Sequence, residues 1–310
     1  MFKKNWKILA LIMVLTFSVA LVGCGTDDGE DGTAVDEGEE VEETTNLGEE
    51  LDYTITGIDA GAGVMQSTEQ AIEDYDLDLD LKASSGAVMT QSLGDAIANE
   101  EPIIVTGWTP HWKFVEYDLK YLDDPKGSFG AEETINTFAR LELEEDKPNA
   151  YKILDQFNWE TEDMESVMLD VSQGTDVEEA SQAWIDDNQD KVDEWIDGTD
   201  EVDGEEIELA YVAWDSNIAS TNVVKLVLED MGFDVTITQV EAGPMWAAVA
   251  GGDADAFLAG WLPVTHKDYL ADFEDEVEDL GPNLEGAKIG LVVPEYMDID
   301  SIEDLQEIEK

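Results

Sequence analysis

The stretches PIIVTGWTP (Pro102–Pro110) and ADAFLAGWLP (Ala254–Pro263) decide the fold. Each is an apolar run of buried-strand length that breaks at a glycine, presents a tryptophan and stops at a proline. What surrounds them also repeats. Upstream of the first lie a strand at Tyr53–Ile58, a Gly61-Ala62-Gly63 turn and a helix with apolar positions Val64, Thr68, Ala71, Ile72 and Tyr75. A strand near Leu77–Ala83, the Ser84-Ser85-Gly86 turn and a helix from Val88 to Asn99 follow. Upstream of the second, Ile207–Ala213 reads as a strand, and Asp215-Ser216-Asn217 caps a helix through Val224, Val227, Leu228 and Met231. Phe233–Val240 is a strand, and Glu241-Ala242-Gly243-Pro244 opens a helix near Met245. Strands alternating with helices predict parallel βαβ packing, and two such units predict two α/β lobes facing a cleft.

Between the units the pattern is helical, through Pro148–Phe157, Met164–Val171 and Val177–Ile196, the last carrying Trp184 and Trp195 at core spacing. A polar connector spans 197–205. Ala287–Pro294 reads as an apolar strand, and Ser301 as the N-cap of a short terminal helix.

The amino terminus predicts the compartment. Lys3, Lys4 and Lys7 precede an apolar run from Ile8 to about Val22, which is short and terminal enough for a secretory signal over residues 1–23. It ends in Leu-Val-Gly-Cys24, the pattern of a lipidated cysteine, and Cys24 is the chain's only cysteine. The alternative is an ordinary signal peptide with an accidental cysteine. Residues 24–51 hold mostly Gly, Asp, Glu and Thr, so the expectation is a lipid anchor followed by an acidic flexible linker. The protein would then sit tethered on the extracellular face of the cytoplasmic membrane.

The chain carries 76 acidic and 15 basic residues, a formal charge of −61. The acids are spread along it, which suits salty surroundings, where the Debye length shrinks to about 3 Å near 1 M, better than one cationic partner. Nucleic acid is excluded as a partner because phosphate binding needs Lys/Arg patches. No nucleophile elbow, metal-spaced His/Glu set or phosphate loop is present, so an enzyme such as a secreted hydrolase is disfavoured, and neither cofactor nor metal is expected.

Ligands of parallel sheets bind at the carboxyl ends of strands, where Trp108 and Trp261 stand. Ring faces attract cations that have no N–H to donate, each contact contributing about 0.5–2 kcal/mol. The pair therefore predicts an aromatic cage for a methylated ammonium. Trp112 and Trp246 are open between cage and core. A carboxylate on the same ligand would seek a helix N-terminus, at Asn217-Ile218 or at its counterpart Gly61–Val64. His111 and His266, the two histidines, follow the tryptophans and are candidate donors or merely packed neighbours; Trp214, Asp215, Gly61 and Trp112 are candidates for a supporting layer. A choline-like ligand would instead want an acid such as Asp59 or Asp215.

These residues resemble the glycine betaine/proline betaine-binding proteins of osmoprotective ABC importers, the OpuAC-like family. The stretches that carry the resemblance are GIDAGAGVMQSTEQAIEDYDLD, ASSGAVM, EEPIIVTGWTPHWKFVEYDLKYLDDPK, QAWIDDNQDKVDEWI, GWLPVTHKDY and LVVPEYMDIDSIEDL. The resemblance implies the bilobed type II periplasmic-binding-protein fold, with two parallel or mixed-sheet lobes. It further implies a cage of three tryptophans, matched to Trp108, Trp261 and Trp159, a ligand carboxylate on the Asn217 and Ile218 amides, and delivery of glycine betaine to an ABC permease. Choline, carnitine and ectoine are the alternative ligands. The order of the halves looks reversed, a circular permutation, which would bring Lys310 close to the Leu51 region. On this basis lobe II is expected at 53–141 plus 295–310 and lobe I at 142–294, with a hinge near 137–140 and 292–294.

Overall fold

The computed structural model describes residues 47–308 and 310. The expected signal peptide, Cys24 and all but the end of the expected linker lie outside them. The chain enters through a short helix α1 (Leu47–Glu50) and then runs β1 (Thr54–Thr56), α2 (Gly63–Tyr75), β2 (Asp80–Lys82), α3 (Gly86–Asn99) and β3 (Ile104–Thr109). Next come α4 (Lys113–Glu116), β4 (Leu119–Tyr121) and β5 (Glu133–Arg140). A helical block holds α5 (Leu143–Asp146), α6 (Pro148–Gln156), α7 (Thr161–Ser172), α8 (Val177–Asp187) and α9 (Gln189–Trp195). The second α/β unit comprises β6 (Glu205–Tyr211), α10 (Asp215–Asp230), β7 (Phe233–Gln239), α11 (Ala242–Gly251) and β8 (Ala256–Leu262). Helix α12 (Lys267–Phe273), the long strand β9 (Val277–Pro294) and a 3-10 turn at Ile302–Glu307 complete it.

The two repeated units form two parallel sheets, as the strand–helix alternation predicts. In lobe II, β1 pairs in parallel with β2 and β3. In lobe I, β6 pairs in parallel with β7 and β8. Strand β9 is antiparallel to both sheets. Its carboxyl end pairs with β3 and β4, Ile289 standing opposite Trp108, while its amino end pairs with β5, Ala287 opposite Glu133. The chain therefore crosses between lobes in the loop 122–132 and within β9 around Gly286–Lys288. Gly286, at φ 80°, takes the left-handed conformation that this change of sheet uses.

Of the segments expected to form the hinge, 137–140 pairs with β9 through Thr137–Gly281 and Ala139–Glu278, with a register shift between Thr137 and Phe138. Val292 pairs with Val105 and Tyr121.

The described ends of the chain lie against the first α/β unit. A Cβ at Gly48 would stand 2.6 Å from the Ile308 Cγ2 methyl, and the Lys310 amide donates to Asp78 Oδ2 at 2.8 Å.

Lobe I is centred on aromatic packing between its helices. Trp184 and Trp195 stack at 5.6 Å with 12° between planes, and Phe157 meets Trp195 edge-on at 4.9 Å. Trp159 meets Trp184 edge-on at 5.6 Å. Trp246 is also core, wedged against Phe138 and Phe257. Trp195 is fully buried, so Trp195→Ala should cost about 3–5 kcal/mol, read as a fall in the urea midpoint.

Candidate functional site

The cavity lies where β9 passes from one sheet to the other. Trp108 is the fifth residue of β3 and Trp261 the sixth of β8, so both indoles emerge at the carboxyl ends of central strands. A third indole joins them. Trp214 follows β6 and is the N-cap of α10, in extended conformation (φ −93°, ψ 138°), which carries its ring to the same opening. The three rings line one apolar cavity. Ile58 and Ile289 add aliphatic surface, Ala62, Gly63 and Val64 present the start of α2, and Ser216 and Thr265 add hydroxyls. Trp108, Trp214 and Trp261 are 5%, 7% and 4% exposed, so packing holds each ring on most of its surface.

Behind the walls stand the two histidines. His266 Nδ1 accepts the Trp261 backbone N–H at 3.1 Å, and the His266 N–H returns to the Trp261 carbonyl at 2.9 Å. The imidazole stacks on Trp214 at 5.7 Å, so one residue braces two walls. Because Nδ1 accepts, Nε2 carries the hydrogen, and it is buried without a partner of hydrogen-bonding geometry. Burial pulls this imidazole down to about 3, the Ala259 carbonyl opposing.

His111 meets the edge of Trp108 at 4.8 Å. Its Nδ1 accepts the Lys113 N–H, and its Nε2 lies 3.2 Å from Asp215 Oδ2. Burial, with the Lys113 charge, lowers it to about 4 against the pull of Asp215. Lys113 is wholly buried, its Nζ 4.2 Å from the Trp108 ring centroid and 3.4 Å from the Trp108 carbonyl oxygen. Burial drives its ammonium well below the usual lysine range, although Asp215 and Glu165 favour the charge. Burial alone would raise Asp215, but His111, the Trp112 indole and Lys113 hold it below the usual carboxylate value.

The structure brings some of the sequence candidates together and disperses others. Trp108 and Trp261 face one cavity. Trp159 does not line it; its ring belongs to the Phe157–Trp184 packing of lobe I. Its place as third wall falls to Trp214, which the sequence reading set in the supporting layer. The signal was available, since Trp214 also follows a buried strand directly. Asn217 and Ile218 do not line the cavity either. The Asn217 side chain turns back to the Val212 N–H and Thr221, and the Ile218 N–H is taken by the Trp214 carbonyl at 2.8 Å. Their counterpart at the head of α2 lines the cavity through Ala62, Gly63 and Val64, and α10 reaches it through Trp214 and Ser216. His111 and Asp215 engage each other, Trp112 donates to Asp215, and the Gly61 carbonyl accepts from the Tyr269 hydroxyl. Among the described residues, no group of three metal-ligating side chains stands together, and no helix is long and apolar enough to cross a membrane.

Comparison with known proteins follows the same lines. The family described as the substrate binding domain of ABC-type glycine betaine transport system (OpuAC) matches residues 31–187 and 205–310. The glycine betaine/carnitine transport binding protein GbuC of Listeria monocytogenes is 56% identical over 265 residues, covering 84% of this chain and 88% of the relative. The crystal structure of lactococcal OpuAC, closed and complexed with glycine betaine, shares 52% identity over 47% of this chain and 58% of that one, with a TM-score of 0.46. The glycine/betaine/L-proline-binding protein ProX of Borrelia burgdorferi shares 32% identity over 49% of this chain and 58% of its own, with a TM-score of 0.43. The match thus spans under two thirds of either solved relative.

Both imidazoles are neutral in the native protein but titrate near 6.5 once unfolded. Their native values are depressed, so the unfolded chain binds more protons as pH falls below about 6.5. Stability is lost from there down to the native values near 4 and 3. Urea titrations at fixed salt between pH 7 and 5 should show the two histidines contributing a slope approaching about 2.7 kcal/mol per pH unit. His266→Gln should remove about half of it, and an unchanged slope would mean that His266 is not held neutral.

Proposed function

The chain belongs to the OpuAC family of substrate-binding domains of ABC-type glycine betaine transport systems, and on that premise we propose that it captures glycine betaine between Trp108, Trp214 and Trp261. Proteins of this family are receptors rather than enzymes, and serve importers from outside the cytoplasmic membrane. The observation that carries the ligand assignment is the convergence of three indoles from two lobes on one apolar cavity. A trimethylammonium group offers methyl surface and charge but no hydrogen-bond donor, so ring faces hold it and a polar pocket does not.

The carboxylate end needs donors. The first N–H groups of α2 have no intrahelical acceptor, and Gly63 and Val64 bring them to the cavity. This helix start supplies the anion site in the reading we favour. Choline fits less well. Asp59 and Asp215, the acids it would call on, each already accept an indole N–H, from Trp214 and Trp112. Carnitine shares the betaine chemistry and appears in the name of the Listeria relative, so it belongs in the ligand panel.

In the same reading the protein is a lipoprotein anchored through Cys24 after removal of the 1–23 signal, and its halves are circularly permuted. The −61 charge suits external salt, and the proximity of Gly48 to Ile308 supports the permutation.

Isothermal titration at the working salt should show glycine betaine binding in the micromolar range, about −8 kcal/mol. Trp214→Ala should weaken it by roughly a hundredfold or more, whereas Trp159→Phe should stay within about twofold of the parent protein; undiminished affinity in Trp214→Ala would refute the cage. Gly63 tests closure separately. A Cβ there would stand 2.1 Å from the Thr265 carbonyl oxygen of lobe I, so Gly63→Ala should hold the lobes apart and remove measurable binding.

A further inference from the structure

Among the described residues, polar contacts cross the cleft, the 3.2 Å approach of His111 Nε2 to Asp215 Oδ2 among them. Trp214 Nε1 donates to Asp59 Oδ2 at 3.2 Å and Trp112 Nε1 to Asp215 Oδ2 at 3.0 Å. The Tyr269 hydroxyl donates to the Gly61 carbonyl at 2.9 Å, and the His111 N–H to Glu165 Oε1 at 3.3 Å. Asp59, Gly61, His111 and Trp112 belong to lobe II, and their partners to lobe I. The two indole–carboxylate pairs are reciprocal, each lobe lending an aspartate to a tryptophan of the other.

Of those two tryptophans, Trp214 is the one that walls the cavity. Lobe I holds it at the backbone, as the N-cap of α10, and against the His266 ring. Its N–H edge is held from the other side of the cleft. Stacking on His266 holds the face of the ring and gives its N–H no acceptor. In an open cleft Nε1 would meet water. Asp59 itself does not line the cavity; its neighbour Ile58 does. It stands in the turn before α2, where its own carbonyl accepts the Ala62 N–H at 3.0 Å. The acceptor for Trp214 is thus tied to the helix start that offers N–H groups to the ligand.

The geometry points to Asp59 as a positioning residue that sets the third cage wall only when the lobes close, by accepting the Trp214 indole N–H across the cleft. This rests on the betaine reading and deepens it. Ligand binding and cage assembly become one event: the open protein presents an unfinished cage, and closure completes it. An indole N–H bonded to a carboxylate is of the stronger, charge-assisted kind, so its loss is measurable. It falls on dissociation, because the bond forms after encounter.

The test is a double-mutant cycle on betaine affinity, with dissociation followed by stopped-flow tryptophan fluorescence. Asp59→Ala should bind about tenfold more weakly, nearly all of it in a faster off-rate. Asp59→Asn keeps an oxygen acceptor without the charge and should stay within about threefold of the parent. In a Trp214→Phe background, which keeps a ring but has no N–H, the Asp59→Ala cost should disappear. Three results overturn the proposal: Asp59→Ala binding and releasing betaine like the parent, Asp59→Asn falling as far as Asp59→Ala, or additive effects in the double variant. The second would mean that the charge acts on the ligand directly. A parent protein that ignores betaine would defeat the ligand assignment alone. The latch would then be read from X-ray scattering, where Asp59→Ala should be more open than the parent and superposable curves would overturn it.

Discussion

One strand holds two sheets. β9 pairs with β3 and β4 at its carboxyl end and with β5 at its amino end, and the change of partner falls between Ala287 and Ile289. Everything at the site depends on that change. Trp108 pairs with Ile289 and Glu133 with Ala287, so adjacent turns of one strand set the wall of lobe II beside the edge of lobe I. Glu133 then accepts the Val264 and Thr265 N–H groups, at 2.7 and 2.8 Å, and fixes the loop that carries Thr265 to the cavity. A strand shared between lobes is continuous in its backbone and exchanges β5 for β3 between Ala287 and Lys288. It transmits position while permitting rotation.

The chemistry at this junction differs from the rest of the molecule. The surface is densely acidic, but the cavity lining is indole, aliphatic side chain and helix start. Charges near the site are compensated: Asp215 stands between His111, Trp112 and Lys113, with both imidazoles held neutral. Exposed ion pairs weaken as salt rises, whereas ring faces in a water-excluded pocket are screened little.

The repeated strand–Gly–Trp–X–Pro pattern was enough to find Trp108 and Trp261 and to place them at strand ends, because a buried strand and its exit are local features. Trp159 and Trp214 show where that stops. Both are tryptophans near element boundaries, and residue type does not separate them. One packs edge-on against Trp184 inside a helical block, and the other leaves β6 toward the cleft. The same holds for the two helix starts. α2 and α10 have similar sequence grammar, yet the Asn217 side chain folds back on Val212 while Gly63 lies bare at the cavity.

The sequence by itself determined the α/β class, the two repeated units, the indoles at two strand ends and the acidic surface, since each follows from periodicity, turn chemistry or composition within a few tens of residues. Only tertiary structure decided that β9 serves both sheets, that Trp214 is the third wall, that α2 supplies the helix start, and that Asp59 and Asp215 reach across to the opposite lobe. Those are contacts between residues far apart in the chain, such as Asp59 with Trp214 and Gly63 with Thr265. They depend on how two separately built lobes meet, which no local pattern encodes.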